Sequence, residues 1–376
     1  MNYGNISEMV LNRSVLKHIR KYNKIIEGGA AAGNDAALLD IRENEGLLVA
    51  EGYSDSAELP KGFDISSGDT AYIDCLYMAY IRACNNLYAM GGSPEFISVK
   101  LIMGSEVREG YVRSMMKNLS DRTAEAKVAI IGGDTKITEA MRPEFLAASV
   151  TACGCLNSGD SDTSSETSAD CKRDDTYSTT DRISDHKISR KISVGDHVII
   201  AGYAGLYGAA VLSKKHHEYL RERFAESYID RVSINDIRML SIEKAALAAY
   251  GSGAKRVHDV SFGGVYAAVY QIAEAAGLGV KVRHEDIPIR QETIELSEDL
   301  GINPYMLCST GSLVIAAAAD KAESVAEAIR RETGLSAYDA GEFTKEKLRS
   351  VYSNNFRLNR VIDMPDGDEL FNVKIN

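Results

Sequence analysis

Basic charge and cysteine are both scarce in this sequence, and each shortage removes a class of function. The 376 residues carry 43 Lys+Arg against 54 Asp+Glu, a formal net charge of −11. The chain therefore lacks the positive surface that sequence-independent binding to nucleic-acid phosphate or to an anionic membrane requires, and neither partner is expected. No apolar run approaches the ~18 residues of a membrane span. Met1-Asn2-Tyr3-Gly4-Asn5 has neither the basic nor the apolar region of a signal peptide, which points to the cytoplasm. Six cysteines, Cys75, Cys84, Cys153, Cys155, Cys171 and Cys308, are too sparse for a disulfide scaffold and form no Cys-x-x-Cys knuckle. Small buried apolar side chains are the expectation for them, with Cys171 in a loop.

With 45% hydrophobic and 26% charged residues, the composition is that of an ordinary globular protein. The length suggests two domains. One stretch breaks the pattern: from Asn157 to Arg190, Ser, Thr and Asp dominate, and only Tyr177, Ile183 and Ile188 are notably apolar. Such a segment cannot bury enough surface to offset its ordering entropy, so a disordered or loosely ordered linker is expected there. The resulting division is an N-terminal domain over 1–153, the insert over 154–191 and a C-terminal domain over 192–376.

Short apolar runs and helical spacing supply the elements. Gly46–Ala50 reads as a strand. Leu76, Ala79, Tyr80, Ala83, Leu87 and Met90 recur at helical spacing, and Gly91-Gly92 supplies the stop. Phe96–Met103 alternates as a strand, Arg108–Ala126 reads as an amphipathic helix, and Val128–Ile131 is a strand running into Gly132-Gly133-Asp134-Thr135. After the insert come a strand at His197–Ala201, a helix at Gly263–Ala276 closed by Gly277, a strand at Ser312–Ala318, a helix at Lys321–Arg331 and a final strand at Ala337–Phe343. The fold class expected is α/β, an α+β N-terminal domain followed by an α/β C-terminal one.

Several motifs suit phosphate chemistry, though each has a plainer alternative. In Gly132-Gly133-Asp134-Thr135, glycines let backbone N–H groups approach an anion and Asp134 can hold a divalent cation, or the four residues are a tight turn. Asp35, in Gly33-Asn34-Asp35-Ala36-Ala37, is a cation ligand or a turn former. Asn85-Asn86 are adjacent amides in an otherwise apolar helix, placed to hydrogen-bond a ligand, a neighbouring loop or each other's surroundings in the core. His258 and Asp259 precede Phe262-Gly263-Gly264 at a helix start, where backbone donors and the helix dipole favour phosphate; they are acid–base groups or a polar cluster at that start. Ser309-Thr310-Gly311-Ser312 suits nucleotide contact and a plain loop equally.

The order of these elements is the specific feature. Gly33 to Ala37, then Asn85 to Pro94, then Gly132 to Thr135, with Gly195-Asp196, Gly202 to Gly208, Asp259 to Gly264, Asp286 to Ile289, Leu300 to Ile302 and Ser309 to Leu313 following, resembles the aminoimidazole ribonucleotide synthetase (PurM-like) superfamily. Within it the chain looks most like the HypE-like hydrogenase-maturation branch. The resemblance implies a homodimer paired through the N-terminal sheets, with ATP and Mg2+ bound at acidic residues of that domain and a C-terminal domain closing over the cleft. The reaction it implies is phosphorylation or activation of an oxygen on a small-molecule or protein-borne substrate. Carried over by residue, Asp35 and Asp134 become metal or phosphate ligands, Gly132, Gly133 and Thr135 the phosphate loop, Asn85 and Asn86 part of the nucleotide site, and Asp259 with His258 the catalytic pair.

Two departures follow from the same resemblance. The family's Asn-Asp pair is Asn85-Asn86 here, which replaces a hard anionic ligand by a neutral amide and makes Glu51 the substitute metal ligand. HypE ends in a modified cysteine, whereas this sequence ends Phe371-Asn372-Val373-Lys374-Ile375-Asn376 and its last cysteine is Cys308. Thiocarbamate dehydration is accordingly not expected, and a degenerate nucleotide-binding or scaffold protein stands as the alternative to an ATP-dependent enzyme.

Overall fold

Alternating apolar positions build the first sheet, six strands in the order β1-β2-β3-β6-β4-β5. The strands are β1 (Ile25–Gly28), β2 (Ala37–Arg42), β3 (Glu45–Asp55), β4 (Gly92–Met103), β5 (Ala129–Ile137) and β6 (Leu146–Leu156). In the computed structural model the described residues are 25–28, 36–42, 45–59, 74–156, 191–234, 237–355 and 358–374. Asp35 and the Asn157–Arg190 segment lie outside them. Neighbours are antiparallel except β4 and β5, which run parallel and are joined by the crossover helix α2 (Glu109–Glu125).

One face of this sheet is dry. Leu48, Ala50, Ile97, Val99, Leu101, Val150 and Ala152 are buried there against α1 (Cys75–Ala89). The Asp74 side chain caps α1 by accepting from the Tyr77 N–H at 2.8 Å, and the helix closes at Met90 before Gly91 at φ 76°. Gly52 allows the close approach of α1 to β3, because a Cβ there would run into the Ala79 carbonyl. Every residue of α1 except Asn86 is buried. A helix apolar on all sides needs cover on all sides, and the second sheet supplies it.

That second sheet has the order β13-β12-β9-β11-β7-β10-β8. Its strands are β7 (His197–Ala201), β8 (Ala254–Val260), β9 (Gly279–Arg283), β10 (Ser312–Ala317), β11 (Ala337–Thr344), β12 (Arg349–Ser353) and β13 (Leu358–Val361). All pair antiparallel except β9 with β12. The helices are α3 (Leu206–Lys215), α4 (His217–Arg221), α5 (Glu226–Ile229), α6 (Glu243–Gly251), α7 (Gly264–Ala276), α8 (Gln291–Asp299) and α9 (Ala322–Thr333). Strand β10, paired on both sides by β7 and β8, is buried along its whole length, which is why it reads as a continuous apolar run. Val198, Ile200, Val314 and Ala316 pack under α7 in a core of their own. On the other face Ile199, Ala201, Val257, Leu313 and Ile315 join the core that also holds α1 and the first sheet.

Several boundaries differ from the sequence reading. β3 runs on to Asp55, where it pairs with Ala147 of β6, and β6 runs on to Leu156, beyond the expected domain end at residue 153, because its last residues pair with Gly92 and Ser93 of β4. Two further strands follow Ala337–Thr344. Gly132-Gly133-Asp134-Thr135 is no turn: it lies inside β5, held in register by β4. His258 and Asp259 belong to strand β8 and precede the helix start. Among the described residues no element packs on the face of the first sheet away from α1, where Tyr53 is 50% and Ile102 41% exposed, and all of β5 is exposed. No helix among the described residues is long and apolar enough to cross a membrane.

Candidate functional site

Register places the expected ligands on the uncovered face of the first sheet. Tyr53, Ser149, Lys100 and Asp134 are successive Cα partners across β3, β6, β4 and β5, so their side chains share a face. Glu51 lies one pleat back, where its carboxylate accepts from Thr151 Oγ1 at 2.5 Å and Ser149 Oγ at 3.1 Å. Glu51 and Asp134 are three strand spacings apart, about 14 Å. They cannot both ligate one cation in a single chain, which corrects the expectation of a joint metal site. Among the described residues no group of three or more His, Cys, Asp or Glu could hold a metal ion. Gly133 has the firmer structural need of the two loop glycines, since a Cβ on it would run into the Val99 carbonyl, whereas one on Gly132 meets nothing. Thr135 pairs with Leu101 and so points to the face opposite Asp134.

The two asparagines part company. Asn85 is 1% exposed; its Nδ2 donates to the Leu240 carbonyl at 2.9 Å and its Oδ1 accepts from the Ile242 N–H at 3.1 Å. That amide ties α1 to the C-terminal half, which is the neighbouring-loop alternative among those open in the sequence. Asn86 donates to the Glu51 carbonyl at 3.0 Å.

One helical turn earlier, Arg82 forms a buried ion pair that the sequence reading missed. Its Nη1 lies 2.9 Å from Glu58 Oε2 and donates to the Tyr53 carbonyl at 2.7 Å, and its Nη2 reaches Cys308 Sγ at 3.8 Å. The guanidinium sits over the Phe262 ring, 4.4 Å from the centroid, and 5.8 Å from that of Tyr207. Burial pushes the Glu58 carboxyl up, an effect that Arg82 partly offsets. Burial also raises the Cys308 thiol to about 12, so it is no thiolate nucleophile at neutral pH. An arginine amid apolar helical positions was the available signal, since such a charge stays buried only when paired.

His258 and Asp259 do not converge. As neighbours on a strand they face opposite sides: His258 lies under α7, with Nε2 3.0 Å from Gln271 Oε1, while Asp259 shares the face of Val257 turned toward α1. The strand thus separates the two residues that the resemblance sets together as a catalytic pair. In Ser309-Thr310-Gly311-Ser312, Ser309 Oγ accepts from the Gly205 N–H at 2.7 Å, and Ser312 Oγ both accepts from the Tyr203 N–H and donates to its carbonyl. The start of α7 holds an anion already: Asp368 Oδ2 accepts from the Gly263 N–H at 2.6 Å. A separate open groove of about 750 Å³ lies on the second sheet, lined in part by His197, Lys281, Arg283, Asp339 and Tyr352.

An open six-stranded sheet and a helix-covered seven-stranded one, sharing one buried helix, define a two-domain α/β protein of PurM-like architecture. The chain belongs to the AIR synthase related protein family, matching its N-terminal domain over residues 33–156 and its C-terminal domain over 193–353. It is 26% identical over 342 residues to a protein of Bradyrhizobium diazoefficiens named carbamoyl dehydratase HypE, covering 90% of this chain and 86% of that one. A HypE–HypF complex contains a similar fold, with a TM-score of 0.65 at 20% identity over 89% of this chain and 94% of the other. HypE in complex with ATP is also similar, with a TM-score of 0.60 at 17% identity over 96% and 92%.

Proposed function

We propose that the protein is a magnesium- and ATP-dependent enzyme that phosphorylates, and so activates, an oxygen of a small-molecule or protein-borne substrate, and that it works as a homodimer in the cytoplasm. Family membership and the likeness to a HypE that binds ATP support the nucleotide. The observation that carries the reading is the uncovered sheet face with Glu51, Lys100 and Asp134 on it, opposite a face that is wholly dry. Phosphoryl transfer needs positioning and charge neutralisation more than covalent help from the protein. Asp134 would hold a cation against the phosphates, Lys100 would neutralise their oxygens, and β5 would offer its backbone. Glu51 serves a second point on the same face, or meets Asp134 from the other copy when two such faces pair over Tyr53 and Ile102. Asp259 faces α1 and His258 lies under α7, so neither reaches the uncovered face, and an acid–base role for them rests on the resemblance alone. Asp35 joins the ligand set by resemblance alone.

Calorimetric titration of Mg-ATP tests this. Asp134→Asn should abolish magnesium-dependent binding. If Asp134→Asn binds Mg-ATP like the parent, the reading fails; a monomeric mass in light scattering at micromolar concentration removes the dimer. Asn86 favours a second reading, a nucleotide-binding scaffold without turnover, because an amide that donates to the Glu51 carbonyl stands where the resemblance sets a carboxylate. A parent that binds Mg-ATP and forms no ADP would decide for it.

A further inference from the structure

We propose that the seam between the two sheets contains a built oxyanion site whose resting occupant is the protein's own Asp368 carboxylate, and that a phosphate-class anion enters by displacing it. This does not rest on the ATP reading, which concerns the other face of the first sheet. Asp368 is 1% exposed although it belongs to the last stretch of chain, beyond β13. Its Oδ2 accepts from the Gly263 N–H at 2.6 Å, and its Oδ1 accepts from the Cys308 N–H at 3.2 Å and from Leu370 N–H at 2.8 Å. Only the last of these is local. Gly263, at φ 79°, caps the start of the 13-residue helix α7 and turns its N–H to Asp368, while the Gly264 N–H is taken by the Ser261 carbonyl at 3.3 Å.

The donors outnumber what a carboxylate can use. Tyr207 Oη and Arg82 Nε are both buried with no hydrogen-bond partner among the described residues. Tyr207 is 1% and Arg82 5% exposed. Both flank the two non-local donors: the Arg82 guanidinium sits over the ring of Phe262, next to Gly263, reaches Cys308 Sγ at 3.8 Å, and lies 5.8 Å from the Tyr207 ring centroid. Idle buried donors are costly, and each calls for an acceptor. A tetrahedral oxyanion, with acceptor oxygens on every side, satisfies the backbone N–H groups together with the phenol and the guanidinium, which the planar two-oxygen carboxylate leaves unmet. Desolvation also pushes the Asp368 carboxyl up to about 6 despite its three donors, so the resting occupant fits its seat imperfectly.

The test uses inorganic phosphate and the full chain. Asp368→Asn keeps an oxygen to accept from the Leu370 N–H but loses the charge; Asp366→Asn, at an exposed neighbour, is the matched control. Calorimetry should find phosphate binding at least about tenfold tighter in Asp368→Asn than in the parent, because self-occupancy lowers the apparent affinity by the fraction of time the site is filled. Asp366→Asn should match the parent, and adding Tyr207→Phe to Asp368→Asn should reverse part of the gain. No gain in Asp368→Asn, or an equal gain in Asp366→Asn, overturns the proposal. Should Asp368→Asn fail to fold, hydrogen exchange in the parent decides alone: saturating phosphate should speed exchange of the Leu370 amide while Gly263 stays protected, and unchanged exchange at Leu370 overturns the proposal.

Discussion

Replacing Asn85 by alanine should cost far more stability than replacing Asn86, although the two are sequence neighbours of identical chemistry. Asn85→Ala removes two hydrogen bonds at 2.9 and 3.1 Å, each contributing about 0.5–1.5 kcal/mol net. It also strands the Leu240 carbonyl and the Ile242 N–H on residues with 0% exposure, where an unmet backbone group costs about 1–3 kcal/mol. The combined loss is roughly 3–9 kcal/mol, less whatever water or relaxation recovers. Asn86→Ala gives up one hydrogen bond at a partly exposed position, which is worth about 1 kcal/mol or less. Guanidinium denaturation with two optical probes measures both, coincidence of the probes confirming a single transition. Equal losses for the two variants would refute the bridging role. So would an Asn85→Ala variant of parental stability that had lost ATP affinity, since that is the signature of a nucleotide ligand.

Three other outcomes can be checked. Gly132→Ala should be nearly neutral in thermal denaturation, while Gly133→Ala should cost about 1–3 kcal/mol through its clash with the Val99 carbonyl; equal effects would show that β5 does not sit against β4 as described. Burial raises the Asp74 carboxyl to about 6 against about 3.9 when unfolded. The stability it contributes is complete below pH ~4 and is lost as pH rises through ~6, a fall of about 3 kcal/mol. Asp74→Asn should therefore gain on the parent between pH 4 and pH 7, and parallel pH profiles would refute this. A fragment ending at residue 156 should aggregate when expressed alone, since the flank of α1 that faces the second sheet is left bare; a soluble, monomeric fragment would refute it.

Local signals in the sequence carried the elements whose neighbours are also local. The Leu76 to Met90 spacing and the Gly91 stop located α1, and alternation located β4, because burial on one face writes itself into every second or fourth residue. Gly132-Gly133 misled, since glycine pairs mark turns when no strand lies beside them, and here β4 lies close enough to require one of the two. His258-Asp259 lie, as the sequence suggests, at a strand running into a helix start, but the pairing of β8 with β10 turns the two side chains to opposite faces. Asn85 meets Leu240 and Ile242 at separations of 155 and 157 residues, and Asp368 meets Gly263 at 105. No window along the chain contains such pairs.

The shared helix has a consequence for the order in which the protein is made. α1 and the strands that cover its first flank are complete once residue 156 has been synthesised, but β8 and β10, which close the core on its second flank, end at residues 260 and 317. At about 5–20 residues per second, translation of the intervening chain takes roughly ten to thirty seconds. Throughout that interval the nascent N-terminal sheet presents an apolar helix surface with no partner. The residues synthesised next, Asn157 to Arg190, are dominated by Ser, Thr and Asp, so the chain adds no competing apolar stretch until the C-terminal strands begin.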